Sequence, residues 1–275
     1  MDRNGEQIPY SALFTAATWQ WGGLPSADIT APEGSENLFR LVRWYSDFYR
    51  VLNPDFYALH EMLLHRHLVI NRLLEKSSHT RVIEIAAGFS PRGCHYSGNP
   101  GTEYYEVDLG PVASMKRRQL RNSDQGSAIL ARQNFHLISG DATSDSLWQQ
   151  FSSTPTTVIT EGLMMYFDRS AQMALWTQIA AFVKRSGGEY LFDYIPLELT
   201  PKRSLAGRFM SLIKKALGVK QDDYYPENRS TEAFIKDLHE AGFSRVQCIR
   251  CSEVAADWKL PFPQSDSRVV IFHCE

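Results

Sequence analysis

A chain of 275 residues with 43% hydrophobic residues and a formal net charge of −2 has enough apolar side chain for one large core or two small ones. So small a net charge supplies no field for nucleic acid, and Lys116-Arg117-Arg118, Lys202-Arg203 and Lys214-Lys215 read as solvated helix faces. No apolar run approaches the roughly 20 residues of a membrane span, and the first residues, M-D-R-N-G-E-Q, carry no apolar signal region. The expectation is a cytoplasmic protein with neither a membrane nor a nucleic-acid partner.

Residues 1–35 mix aromatics with glycine and proline and predict a short helix followed by a loop. Trp19 and Trp21 stand there as core aromatics or as the cover of a ligand. Apolar residues at helical spacing predict a helix over 37–56, carrying Leu38, Leu41, Val42, Tyr45, Phe48, Tyr49 and Leu52. A second helix follows over about 56–75. Its His60, His65 and His67 raise a metal reading, but no carboxylate completes a site, so no metal is expected.

Residues 82–86 form a short apolar strand with one acid inside it, Glu84. It runs into Ala87-Gly88 and then Ser90, Pro91 and Gly93. A buried strand ending in a small-residue turn is the place where a nucleotide-like ligand lies against backbone, because a larger side chain would collide with it. A β-rich run over 103–109 ends in Asp108, twenty residues beyond Gly88. An acid at the end of the second strand of a doubly wound sheet is placed for ribose hydroxyls.

Strand and helix then alternate. Helices are predicted over 111–121, 145–151, 171–184, 205–217 and 231–241, and strands over 134–138, 156–160 and 190–195. Ser139-Gly140-Asp141-Ala142 follows the third strand and Glu161-Gly162 the fourth. Two last strands, 244–249 and 268–274, are joined by a Pro-containing loop and suggest a closing antiparallel hairpin. Seven strands in alternation with helices imply an α/β fold, a mostly parallel sheet covered on both faces. Cys248-x-x-Cys251 lacks a second half-site and a histidine pair, so the four cysteines read as buried, reduced thiols.

E-I-A-A-G-F-S-P-R-G at 84–93, Y-Y-E-V-D-L at 104–109, G-D-A at 140–142, I-T-E-G-L-M-M-Y at 159–166 and L-F-D-Y at 191–194 together resemble the leucine carboxyl methyltransferase family, especially its bacterial small-molecule branch. The resemblance covers most of the chain. It implies a Rossmann-like class I methyltransferase domain over 77–275 with a helical insertion near 196–230, and a helical lid over 1–76. It implies S-adenosylmethionine (SAM) as methyl donor, with Arg66 on the SAM carboxylate and Glu84, Ala86 and Gly88 shaping the turn. Asp108 and Leu109 would lie at the ribose, Asp141 and Ala142 at the adenine, and Glu161 at the amino group. Tyr166, with Trp19 and Trp21, would face the sulfonium and serve catalysis. Ala86 replaces the turn's first glycine, and Ser90-Pro91-Arg92 stands where protein-methylating members have an acid-threonine pair; both set this chain apart from enzymes acting on a protein C-terminus.

Two reactions stay open at this level. One is methylation of a small-molecule acceptor. The other uses SAM as sole substrate: its amine attacks its own γ-carbon, forming azetidine-2-carboxylate and methylthioadenosine. A nicotinamide-dependent oxidoreductase or a nucleotide-sensing module fits less well, since the first turn lacks G-x-G-x-x-G.

Overall fold

The computed structural model describes residues 10–52, 58–199 and 229–275. Four helices come first: α1 (Tyr10–Trp21), α2 (Ala27–Thr30), α3 (Ser35–Leu52) and α4 (Leu59–Lys76). The alternating part follows as β1 (Arg81–Ile85), α5 (Arg92–Tyr96), β2 (Glu103–Asp108), α6 (Gly110–Arg121), α7 (Asp124–Leu130), β3 (Phe135–Ser139), α8 (Asp145–Gln149), β4 (Thr156–Thr160), α9 (Arg169–Ser186) and β5 (Glu189–Tyr194). The chain closes with α10 (Thr231–Ala241), β6 (Val246–Arg250), α11 (Cys251–Val254) and β7 (Val270–Cys274).

The strands form one seven-stranded sheet in the order β3-β2-β1-β4-β5-β7-β6, parallel except for β7, which runs antiparallel between β5 and β6. Period-two alternation builds two cores. Ile83, Ile85, Val158, Phe192 and Phe272 face α9 and α10 through Trp176, Ile179, Val183, Phe234 and Leu238. Their neighbours Val82, Tyr104, Ile159, Leu191 and Ile271 face the other way, against Val69, Ile70 and Leu74 of α4 and Leu120 of α6. Helix α4 is thus part of the layer covering the sheet, while α1 and α3 stack outside it through Phe14, Ala17, Phe39, Val42 and Leu63.

Local chemistry sets the ends of the long helices. Asp168 caps α9 by accepting from the Ala171 N–H at 2.8 Å, and Ser230 caps α10 by accepting from Ala233 at 3.3 Å. The closing hairpin and the seven strands fall where sequence periodicity puts them, to within two residues. Helices α2, α5, α7 and α11 were not anticipated, because four to seven residues are too few to show a helical stripe. The helix expected over 205–217 lies outside the described residues. On α3 the inward face is Phe39, Val42 and Ser46, whereas Leu41 and Phe48 of the expected stripe are exposed. Among the described residues, no helix is long and apolar enough to cross a membrane.

At the start of β5, the Glu189 carboxylate accepts from the Thr157 hydroxyl at 2.7 Å and lies 2.6 Å from Nε2 of His273. Burial pushes its pKa up, but the bonds from His273, Ser77 and Thr157 outweigh this and hold it at about 2. Glu189 therefore contributes stability that is complete above the unfolded-chain pKa of about 4.3 and is lost as pH falls toward about 2. Glu189→Gln is expected to lower unfolding free energy by roughly 1–3 kcal/mol at pH 7. Urea titrations at pH 7 and pH 3 check this: the gap between variant and wild type narrows at the lower pH.

Candidate active site at the strand ends

Parallel pairing brings the carboxyl ends of β1, β2, β4 and β5 to one edge. Ile85 lies opposite both Val107 and Thr160, and Thr160 opposite Phe192. The next residues along these strands (Ala86, Asp108, Glu161 and Asp193) therefore converge. Beyond β1 the backbone turns sharply, with φ of +54° at Ala86 and +53° at Gly88. For Ala86 the left-handed region costs roughly 1 kcal/mol. The turn is closed from β2: the Gly88 N–H donates to Asp108 Oδ2 at 2.7 Å and the Leu109 N–H to Oδ1 at 2.8 Å. Burial raises the Asp108 pKa, and those two N–H groups only partly offset it. Leu109 follows with its side chain exposed, an apolar platform beside the acid.

Behind the turn lies a buried ion network. Arg92, at the start of α5, donates to Glu84 and, at 2.6 Å each, to Glu161 Oε2 and Asn71 Oδ1. Arg66 on α4 donates to Glu161 Oε1 at 3.0 Å and to Asp193 Oδ2 at 3.2 Å. Tyr104 donates to the other oxygen of Glu84 at 2.7 Å, and the Gly162 N–H to Asp193 Oδ1 at 2.5 Å. The side chains of Arg66, Glu84, Arg92, Glu161 and Asp193 are each at most 8% exposed. Gly162 has φ of +70°, and a Cβ there would stand 3.1 Å from the Arg66 guanidinium, so glycine is required on both counts.

Burial raises the Glu161 pKa, but His67, Arg92 and Arg66 outweigh it and hold the carboxyl well below its usual range. Burial, reinforced by Arg92, lowers the pKa of His67, whose Nδ1 lies 2.9 Å from Glu161 Oε2 and 3.0 Å from Arg92 Nη2. Burial also raises Asp193, against the pull of Arg66. Two guanidiniums thus face three carboxylates, and the network has one acid more than it has cations.

The remaining residues singled out in the sequence spread around this edge. Asp141 folds onto its own loop, accepting from the Thr143 N–H at 2.9 Å and hydroxyl at 2.7 Å, which lowers its pKa; the Ala142 carbonyl accepts from the Trp148 indole at 3.3 Å. Tyr166 ends a short 3₁₀ turn after β4; its ring is 41% exposed and its hydroxyl donates to Ser11 of α1 at 3.2 Å. Trp19 lies 4.9 Å from the His67 ring, packed with Phe89 of the turn, and its buried indole N–H has no hydrogen-bond partner among the described residues. Trp21 sits apart from these, stacked on Phe262 at 5.4 Å and against His60 at 4.8 Å.

The three histidines of α4 diverge. His60 packs on Trp21, His65 lies 2.6 Å from the Pro261 carbonyl, and only His67 reaches the network. Sequence reasoning assigned no role to His67, Asn71, Arg92, Tyr104 or Asp193. The signal was plainest at Asp193, an acid inside the apolar run 190–195, which must find a buried partner. Two surface cavities of about 420 and 400 Å³ lie elsewhere, one by Glu189 and Trp258 and one by Tyr105 and Arg117.

The sequence profile of the leucine carboxyl methyltransferase family matches residues 43–180, half of the chain. The chain belongs to the leucine carboxyl methyltransferase family. The matched region runs from within α3 through most of α9, so it contains the turn, Asp108 and every member of the network except Asp193.

No curated protein sequence gives a significant match. Among solved structures, PigF with SAH superposes with a TM-score of 0.52 at 14% identity, covering 98% of this chain and 63% of that one. An O-methyltransferase family protein from Burkholderia thailandensis gives 0.50 at 13% identity, over 78% of this chain and 57% of that one. The methyltransferase domain of bacterial CtHen1 gives 0.50 at 10% identity, over 78% and 98%. These likenesses show the class I methyltransferase fold. The chain spans about three-fifths of the length of the first two.

Arg92 is the cation whose loss isolates the most charge. Arg92→Met is expected to cost about 3–5 kcal/mol, because Glu84 and Glu161 are left buried and undercompensated. Adding Glu84→Gln to that variant recovers part of the loss; equilibrium urea denaturation of both variants measures it.

Proposed function

We propose that this protein binds SAM across the ends of β1 to β4 and transfers its methyl group to a small-molecule acceptor, a carboxylate or other nucleophile, in secondary metabolism. The observation that carries the reading is the turn at Ala86–Gly88 closed by Asp108, beside a buried network one negative charge in excess. SAM carries a sulfonium, an ammonium and a carboxylate, a net charge of +1, and complements that excess. When bound, it supplies an electrophilic methyl whose departure leaves the sulfur with the bonding pair.

The residues present fit such a ligand. Asp108 keeps lone pairs beyond those used by Gly88 and Leu109 for ribose hydroxyls, and Leu109 gives an apolar surface alongside. Arg66 would turn part of its fork to the ligand carboxylate. Asp141 and the Ala142 backbone would meet the adenine. Helices α1 to α3 would act as a cap, with Trp19 and Tyr166 offering ring faces to the sulfonium, each worth roughly 0.5–2 kcal/mol. An acceptor that is already anionic needs no base, so positioning supplies much of the rate. α1 packs against the turn, which favours a compact acceptor over a folded polypeptide.

One observation favours a second reading, cyclisation of SAM. Both Glu161 oxygens are taken, by Arg66 on one side and His67 and Arg92 on the other. The acid expected to hold the ligand amine as ammonium is therefore already committed. A free amine could close on the γ-carbon: a C–N bond forms, the C–S bond breaks, methylthioadenosine leaves with the electron pair, and the nitrogen sheds one proton.

Incubating the purified protein with SAM alone separates the two. Intact SAM that binds tightly in calorimetry supports methyl transfer; methylthioadenosine with a four-membered amino acid supports cyclisation; no binding overturns both. Asp108→Asn is expected to weaken SAM binding about 10–100-fold, as the loss of a charged hydrogen bond does, with the thermal midpoint as a control for folding.

A further inference from the structure

Helix α3 carries a face with no role in the site. Leu41, Trp44, Phe48 and Val51 are 56%, 66%, 54% and 81% exposed. They are half of the large apolar side chains that the described residues expose. They form one stripe along the helix at spacings of three, four and three residues, the a/d pattern of a helix-pairing seam. The rings of Trp44 and Phe48 stack 5.9 Å apart at 13°, so the stripe presents a preformed aromatic surface. The opposite side of the helix, Phe39, Val42 and Ser46, is already buried against the rest of the fold.

We propose that this stripe is a two-fold interface, with α3 of one copy of this chain packed antiparallel on α3 of a second copy. Three features select that occupant. The spacing is palindromic, so reversing one helix superimposes the stripe on itself, with Leu41 facing Val51 and Trp44 facing Phe48. Such self-complementarity is what an isologous pair requires. The flanking charges are matched within the helix, Arg40 with Glu36 at 3.6 Å and Arg43 with Asp47 at 3.4 Å. An anionic lipid surface or an acidic partner is therefore offered no unpaired cation by these four residues.

The third feature is area. Aromatics contribute about 150–250 Å² each, so the exposed parts of the four side chains amount to roughly 500 Å² per copy. A pair then buries on the order of 1,000 Å², the lower bound for a specific interface. The interface is therefore a reversible one. The other side of α3 meets α1, where the Arg43 guanidinium lies 5.0 Å over the Trp21 ring.

Sedimentation velocity of the full chain from about 1 to 200 μM tests this. The expected result is a monomer–dimer equilibrium with a dissociation constant on the order of 10 μM. The pair Trp44→Glu and Phe48→Glu together is expected to weaken it at least 30-fold, as loss of a central aromatic hot spot does, with an unchanged thermal midpoint. A Leu41→Cys, Val51→Cys variant should form a covalent dimer on mild oxidation, and Leu41→Cys alone should not. A wild type monomeric throughout overturns the proposal, as does a dimer unaffected by the charge pair. A monomer whose Trp fluorescence shifts on phosphatidylglycerol vesicles would assign the stripe to a membrane instead, and a large fall in thermal midpoint in the glutamate variant would assign it to another part of the same chain.

Discussion

The arrangement of the strand ends depends on one interaction, the fully buried Arg92 guanidinium bridging Glu84 of β1 and Glu161 beyond β4. Two carboxylates on adjacent strands, out of water, repel one another, and the guanidinium between them offsets that repulsion. Arg66 performs the same service between Glu161 and Asp193, one strand further on. Networks of this kind add little net stability, since desolvation offsets most of the Coulomb attraction. What they provide is position: each carboxylate oxygen of Glu84, Glu161 and Asp193 has a hydrogen-bond partner, a buried side chain or, for Asp193 Oδ1, the Gly162 backbone.

That rigidity has a chemical consequence. The edge of the sheet is preorganised with an excess of one negative charge in a low-dielectric setting, where a cationic ligand gains more than it would in water. Asp108 is held differently. It is anchored by two backbone N–H groups rather than by a side-chain cation. The difference between the carboxylates is environmental: Glu84, Glu161 and Asp193 are each paired with a guanidinium, and Asp108 is held by backbone alone. Trp19 completes the contrast, a buried indole N–H with no partner among the described residues beside a network where nearly every polar atom has one.

Outside the sheet, the helices divide by what they cover. Helix α4 joins the core and delivers Arg66, His67 and Asn71 to the network from a single face and its margin. Helices α1 and α3 cover α4 in turn, and α3, being outermost, is left with a second apolar face. Layering of this kind leaves a residual surface unless something else meets it, because each added helix buries one stripe and exposes the next.

The fold was largely legible in the residue pattern. Periodicity alone located the seven strands and the long helices, and the small-residue turn at 86–88 with Asp108 marked the edge where the strand ends converge, because local sterics and hydrophobic alternation are properties of the chain itself. Resemblance to the family added Arg66 and Glu161. Tertiary structure decided who partners whom. His67 looked like one of three equivalent histidines until the helix rotation sent it to Glu161 and its neighbours to Trp21 and Pro261. Arg92 looked like a departure in a loop, and became the central cation of the site. The stripe on α3 looked like core, and Leu41 and Phe48 of it face outward. Hydrophobic spacing fixes which residues share a face of an element, but only packing determines which face turns inward and which charges meet across separations of 8 to 127 residues.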